Sequence, residues 1–323
     1  MFKVIFSKIF TAFLSVLLFS ICAAAQPEGE SVNRTRKNQI GKVRTVTIPI
    51  SIFTRQELRE RQPDEFLQAG NITVKEDGDE QTILSIRSVS NTPLSLAILI
   101  QDDLSSGFNL ELEKLGEFIR RLPRGSRVMV GYLRNSLLVR QKFTEDLEKA
   151  AASLRIVIGV STSSNPYDGV LDALKRFDAL PGGRRAILLV SDGLDASRGI
   201  ANSSPTQSIE LERAILNAQR KSVAVYSIYS TGNATERGSS ILTLNGQGSL
   251  NRISDETGGR AFFQGTLSPV SFDPFLKDLS LTLNRQFALT YLSTHMKKGY
   301  HRIQVLSTNP EVKIEHPRGY FFR

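Results

Sequence analysis

The apolar run Arg185-Ala186-Ile187-Leu188-Leu189-Val190 ends abruptly in Ser191-Asp192-Gly193. An unbroken apolar stretch of this length describes a central parallel strand, because helices cover both of its faces and no alternation is needed. An acid and a glycine at the carboxyl end put a carboxylate in the crevice where open α/β sheets bind ligands. A second run, Leu96-Ala97-Ile98-Leu99-Ile100, leads into Gln101-Asp102-Asp103-Leu104-Ser105-Ser106-Gly107. Two strand ends thus offer acids and hydroxyls to one candidate site.

Around these strands the pattern alternates between helix and strand. Leu112, Leu115, Phe118, Ile119 and Leu122 recur at helical spacing, and Pro123 stops that helix. Arg127 to Leu133 is a further strand. Leu147 to Leu154, Val170 to Phe177 and Ile209 to Arg220 read as helices, Val223 to Ile228 as a strand, and Leu250 to Thr257 as a short helix closed by Gly258-Gly259. Strands separated by helices imply parallel pairing through right-handed crossovers. Residues 91–267 are therefore expected to form a doubly wound, mostly parallel α/β domain.

Different patterns flank it. From Val43 to Ile52 apolar and polar residues alternate, and Asp77-Gly78 between Ile72 and Ile86 is a strong hairpin signal, so 42–90 reads as a small β unit. Residues 268–323 read as a helix, striped by Leu276, Leu279 and Leu283, followed by hairpin-linked strands around Lys297-Lys298-Gly299. His295 and His301 flank that turn and read as surface residues rather than as a metal pair. Thr257-Gly258-Gly259 reads as a helix C-cap entering a strand, since phosphate loops precede helices.

The first 25 residues have the form of a secretory signal: basic Lys3 and Lys8, an apolar Ile9 to Ile21, and Ala23-Ala24-Ala25 before Gln26. Polar residues 26–41 read as a flexible leader. Removal of the signal takes away Cys22, the chain's single cysteine, so the mature protein has neither a disulfide nor a thiolate metal site. No other stretch is apolar and long enough to span a bilayer. The expected location is periplasmic or secreted. The net charge is +9, and about +7 without Lys3 and Lys8; it is scattered rather than striped with aromatics, which argues against nucleic acid as a partner.

Taken in order, these elements resemble the von Willebrand factor A (VWA) fold, and within it the VWFA-related family of acidobacteria. The resemblance is carried by the Ile100 strand with its acid-and-serine loop, by Arg185 to Gly193, and by the late helix, Thr257-Gly258-Gly259 and Phe262-Phe263. The Val74 to Gly78 hairpin and the closing Gly319-Tyr320 also look like that family's flanking segments. The fold implies a divalent cation, Mg²⁺ or Mn²⁺, above the sheet, held by an Asp-x-Ser-x-Ser loop, a Thr from a second loop and an Asp from a third. Six hard oxygens suit such an ion.

Carried over by position, Asp192 matches the third-loop acid. Aligning the first loop by strand end places Gln101, Asp103 and Ser105 at its three positions; sliding by two gives Asp103, Ser105 and Gly107. The second-loop hydroxyl falls on Ser164, with Thr162 in reserve. The candidate ligands are Asp103, Ser105, Ser164 and Asp192, in a set degenerate at its leading acid. The alternative is a site without metal, in which Gln101 hydrogen-bonds the loop and Asp192 caps a turn. No cysteine nucleophile, His-Glu-x-x-His or Gly-x-Ser-x-Gly elbow occurs in the mature chain. The expected function is an exported, non-enzymatic module that captures an unidentified protein partner. A metal-independent structural component of the envelope is the alternative, and a metal-dependent hydrolase using Asp103 and Asp192 a third reading.

Overall fold

The computed structural model describes residues 43–54, 72–89, 92–134, 136–159, 165–199, 202–232, 235, 240–263, 265 and 269–322. The expected signal and leader lie outside them. Six strands make one mixed sheet: β4 (Leu94–Gln101), β5 (Arg127–Leu133), β6 (Leu137–Thr144), β7 (Arg184–Ser191), β8 (Ala224–Tyr229) and β9 (Ala261–Phe262). Their order is β6-β5-β4-β7-β8-β9. All neighbours run parallel except β6, which turns back antiparallel on β5. The α/β class is as expected; strand β6 was not foreseen, because its residues alternate between half-buried and exposed at a sheet edge.

Alternate residues of the central strands feed two apolar clusters. Leu96, Ile98 and Ile100 of β4, with Leu188 and Val190 of β7, pack with residues of α1 (Leu112–Arg120), α2 (Leu147–Ala152) and α6 (Asp273–Asn284). Ala97 and Leu99, with Ile187 and Leu189, pack with residues of α3 (Pro166–Arg176), α4 (Ile209–Arg220) and α5 (Ser240–Thr257). Both faces of β4 and β7 are therefore dry, each large side chain contributing roughly 1.5–3 kcal/mol. Helix α5 begins ten residues before the expected Leu250. Its Gly246 and Gly248 hid it from the apolar pattern.

The largest departure concerns the flanks. Strands β1 (Arg44–Thr54), β2 (Ile72–Glu76) and β3 (Asp79–Ser88) join β10 (Gln286–Ser293), β11 (Gly299–Ser307), β12 (Val312–Glu315) and β13 (Gly319–Phe322) in one sheet, ordered β12-β1-β10-β3-β2-β11-β13. The two small β units read from the sequence are thus a single body built from both flanks. Strands β10 and β11 are not a hairpin either: β10 lies between β1 and β3, and β11 between β2 and β13. The reason is burial. Val46, Ile48 and Ile50 of β1 share one apolar cluster with Leu289 and Tyr291 of β10 and with Ile303 and Val305 of β11. A one-sided antiparallel strand needs neighbours that continue its dry face, and here they come from the far end of the chain. The expected β2–β3 hairpin is present, with left-handed φ of 51° at Asp77 and 99° at Gly78, the pairing a two-residue I′ turn demands.

Leu289 is fully buried in β10, between β1 and β3. We expect Leu289→Ala to lower stability by about 2–5 kcal/mol in urea unfolding. Amide exchange should accelerate together in 44–54, 79–88 and 286–293. Loss of protection confined to the carboxyl-terminal strands would contradict the single sheet.

Candidate functional site

The register of β4 against β7 sets Ile100 opposite Val190, which brings Gln101 beside Ser191 and Asp192. Gln101 Oε1 accepts from Ser191 Oγ and, at 3.2 Å, from the Asp192 N–H. Ser191 Oγ in turn accepts from the Gly193 N–H at 2.8 Å. The remaining function of Gln101, its amide N–H₂, donates to the carboxyls of Asp103 and Asp192. Both acids are buried. Asp192 Oδ1 accepts from the Leu194 N–H at 3.0 Å, closing an Asx turn. Gly193 holds φ at +71°, and a Cβ there would strike the Gly246 backbone of α5. On the other side a Cβ at Gly232 would collide with Asp192 Oδ2. Glycine on both sides is what lets the backbone close around this carboxylate.

The loop after β4 is fastened over the acid by the strand-like pairing of Leu104 with Gly232, and by a 2.8 Å bond from Ser105 N–H to Thr231 O. Thr231 Oγ1 donates to Ser105 Oγ at 3.3 Å. Asp102 has a separate partner. It receives Arg155 Nη1 and Nη2 at 2.8 and 3.0 Å, while Arg155 stacks over Tyr132 at 4.0 Å and Arg134 stands at 3.9 Å. Such a two-pronged pair holds the loop geometrically as well as electrostatically.

The charge balance of the remaining two acids is unusual. Among the described residues neither Asp103 nor Asp192 forms an ion pair. Burial pushes the Asp192 carboxyl up to about 7, and nearby Asp103 adds to the rise, while the Leu194 N–H and the Gln101 amide oppose it. Burial likewise raises Asp103, with Asp102 adding to it and the Gln101 amide opposing. Neighbouring buried carboxyls of this kind favour a protonated acid or a bound cation. Their oxygens, with Ser105 Oγ, are a hard donor set of the kind Mg²⁺ and Mn²⁺ take.

Of the residues singled out in the sequence, Gln101, Asp103 and Asp192 meet at this point, and Ser105 is tied to Thr231 in the loop that follows β4; Ser164 and Thr162 lie outside the described residues. Thr231, Gly232 and Arg155 were missed. Thr231 and Gly232 sit just beyond β8 with no motif around them, and Arg155 follows α2 in a run of ordinary composition. Thr257 Oγ1 accepts from the Val225 N–H at 3.0 Å, and Gly258 takes φ of +84° as the helix ends, so Thr257-Gly258-Gly259 is a cap. The surface reading of the histidines does not hold. His301 is buried, His295 half-buried, and their rings lie 5.9 Å apart. The cause is the unexpected position of β11 beside β2, which turns His301 toward Glu76 and Asp77.

No protein-family profile and no curated protein matches the sequence. Solved structures similar to the chain include VWA domains. A von Willebrand factor type A structure from Catenulispora acidiphila is 10% identical, covers 80% of this chain and 75% of its own, and has a TM-score of 0.42. The vWF domain of the type V pili tip protein Mfa5 from Porphyromonas gingivalis is 12% identical, over 62% of this chain and 97% of that one, at 0.42. An aerotolerance-related membrane protein from Bacteroides fragilis is 13% identical, over 59% and 98%, also at 0.42. Among the described residues, no helix is long and apolar enough to cross a membrane.

Asp192 gives a signed prediction. Below about pH 4 its carboxyl is protonated folded and unfolded alike; between there and about pH 7 only the unfolded chain ionises. Unfolding then releases a proton, so this group's stabilising contribution is complete at low pH and is lost as pH rises through about 7. In chelator, Asp192→Asn should remove that slope and gain on the wild type by roughly 2–4 kcal/mol between pH 4 and 7.5. Parallel stability curves for the two proteins would show that the group is not buried as described.

Proposed function

We propose that this chain is an exported, non-enzymatic protein-binding module of VWA type, a doubly wound domain that meets its partner at the carboxyl ends of β4 and β7. The observation that carries the reading is the pair of buried acids, Asp103 and Asp192, without an ion pair among the described residues. Asp103, Asp192 and Ser105 would hold Mg²⁺ or Mn²⁺, with Ser164 or Thr162 as a further hydroxyl. The ion would supply positive charge for a carboxylate of the partner, and Gln101 would orient both acids from below. Gln101 in place of a leading acid lowers the charge of the set, so the affinity for the ion is expected to be weak.

A specific observation favours a second reading. The Gln101 amide already donates to both acids, and the Leu104–Gly232 pairing covers them. In that case the acids share protons, the strand ends act as a rigid polar plug, and the partner binds independently of metal, as a structural component of the envelope would.

Calorimetric titration of Mg²⁺ and Mn²⁺ into the metal-stripped protein separates the two. Saturable binding, lost in Asp192→Ala, is the expected result. Absence of binding at millimolar ion would replace it with the metal-independent reading. A turnover that disappears with chelator would instead restore the hydrolase.

A further inference from the structure

Two of the chain's three histidines converge at the opposite sheet. His301 lies on β11, His295 follows β10, Glu76 ends β2, and Asp77 occupies the tight turn after it. The ligand atoms of Glu76, Asp77 and His301 lie within 4.8 Å of one another. The hydrogen bonds around them fix which ring nitrogen carries hydrogen. His301 Nε2 is 2.7 Å from the carbonyl oxygen of Lys297, which can only accept, so Nε2 donates. Its Nδ1 then faces two carboxylate oxygens, Asp77 Oδ2 at 2.7 Å and Glu76 Oε1 at 3.3 Å. His295 Nε2 likewise points at a carboxylate, Asp79 Oδ2 at 3.2 Å, and its Nδ1 turns inward, 4.0 Å from Glu76 Oε1.

Two buried acceptors of this cluster have no donor. His295 Nδ1 is buried with no hydrogen-bond partner, and so is Glu76 Oε2, on a side chain that is fully buried. The other oxygen of Glu76 is engaged by Tyr320 Oη at 2.7 Å and Arg44 Nη2 at 3.3 Å. Buried acceptors without a donor are stabilised by an electrophile beside them, a proton or a metal, and exposed Asp77 leaves a path from solvent. The outer nitrogen of His301 is already dressed as a metal-bound imidazole requires: it donates to the Lys297 carbonyl, which fixes tautomer and ring orientation.

We propose that Glu76, Asp77 and His301 form a transition-metal site of Zn²⁺ type, with His295, whose Nδ1 stands 4.0 Å from Glu76 Oε1, as the fourth ligand once its ring moves toward the ion. Two imidazoles and two carboxylates are a borderline donor set that zinc accepts in four-coordination, and that Mg²⁺ and Ca²⁺, which take mainly oxygen, do not favour. The charges balance. Glu76 and Asp77 neutralise the dication, while Arg44 and Asp79 offset each other. With Nε2 donating to Lys297, the lone pair that serves as a ligand is that of Nδ1, and any hydrogen there leaves to solvent on binding. The ion would tie β2, β10 and β11 together where both flanks of the chain meet.

The test uses the full chain, stripped of metal. Zn²⁺ is titrated by calorimetry against a chelator of known affinity, and Co²⁺ is added as a visible-absorption probe. The wild type and Asp192→Asn should each bind one Zn²⁺, with four-coordinate Co²⁺ bands. His295→Gln, at a half-buried position, should keep its circular dichroism, weaken Zn²⁺ at least about tenfold and lose the Co²⁺ bands. His301→Gln should do the same; if that buried substitution misfolds, His295→Gln decides alone. No saturable Zn²⁺ binding in the wild type would overturn the proposal. So would unchanged affinity in His295→Gln, or loss of the ion in Asp192→Asn instead.

Discussion

The parallel pairing of β4 with β7 buries both strands on both faces, so polar chemistry is displaced to where they end. Because Ile100 aligns with Val190, the first residue past each apolar run falls next to the other: Gln101 beside Ser191, then Asp103 and Asp192. The arrangement admits little adjustment. A one-residue slip would carry Gln101 away from Ser191 and reverse every core side chain of β4. The glycines at 193, 232 and 246 are consequences of the same pairing, since the loops from β7, β8 and the turn of α5 must all approach one buried carboxylate.

The second sheet depends on a different constraint. Its strands come from both flanks, and the chain between them is the whole α/β domain. The two bodies are joined by buried polar contacts. Arg184, at the start of β7, donates to Gln286 Oε1 at 2.9 Å and to the carbonyl of Leu283, and Gln286 Nε2 donates to Tyr226 Oη at 3.0 Å. Burial pushes the Arg184 guanidinium below its usual range, though arginine remains charged at neutral pH. Pairing residue 48 with 289 closes a very long loop, and the folded α/β domain between them lowers that cost by holding the flanks together.

What could be read in the sequence follows from these two regimes. The buried strands β4, β5, β7 and β8 announce themselves by continuous apolar runs, and the Asp77-Gly78 turn by its own chemistry, because the causes of both are local. The acids at the strand ends were legible for the same reason: they follow those runs directly. The partners of the acids were not. Thr231 and Gly232 acquire their role only when β8 aligns with β7, and Arg155 only when its loop folds back over Tyr132. The flanking sheet was read as two pieces because each strand's alternation states that one face is dry, and says nothing about which distant strand continues that face. His301 shows the consequence. Beside a Lys-Lys-Gly turn it has the neighbours of a surface residue, and only the β2–β11 register buries it.

The two acid clusters answer the same physical problem with different means, and the difference separates their chemistry. At the strand ends the donors are oxygens, and the neutral amide of Gln101 and the Leu194 N–H donate to the acids. That environment tolerates a proton on Asp192 near neutral pH and suits a hard ion. In the flanking sheet Arg44 and Tyr320 satisfy one oxygen of Glu76, the outer nitrogen of His301 is committed to the Lys297 carbonyl, and the Nδ1 atoms of both histidines stand beside Glu76. Oxygen-seeking ions gain little from those imidazoles, whereas a borderline metal gains from each of them. An ion at the strand ends would act where a partner arrives, at the rim of the α/β sheet. An ion held by His295 and His301 would act on the fold itself, tying together strands that come from both flanks of the chain.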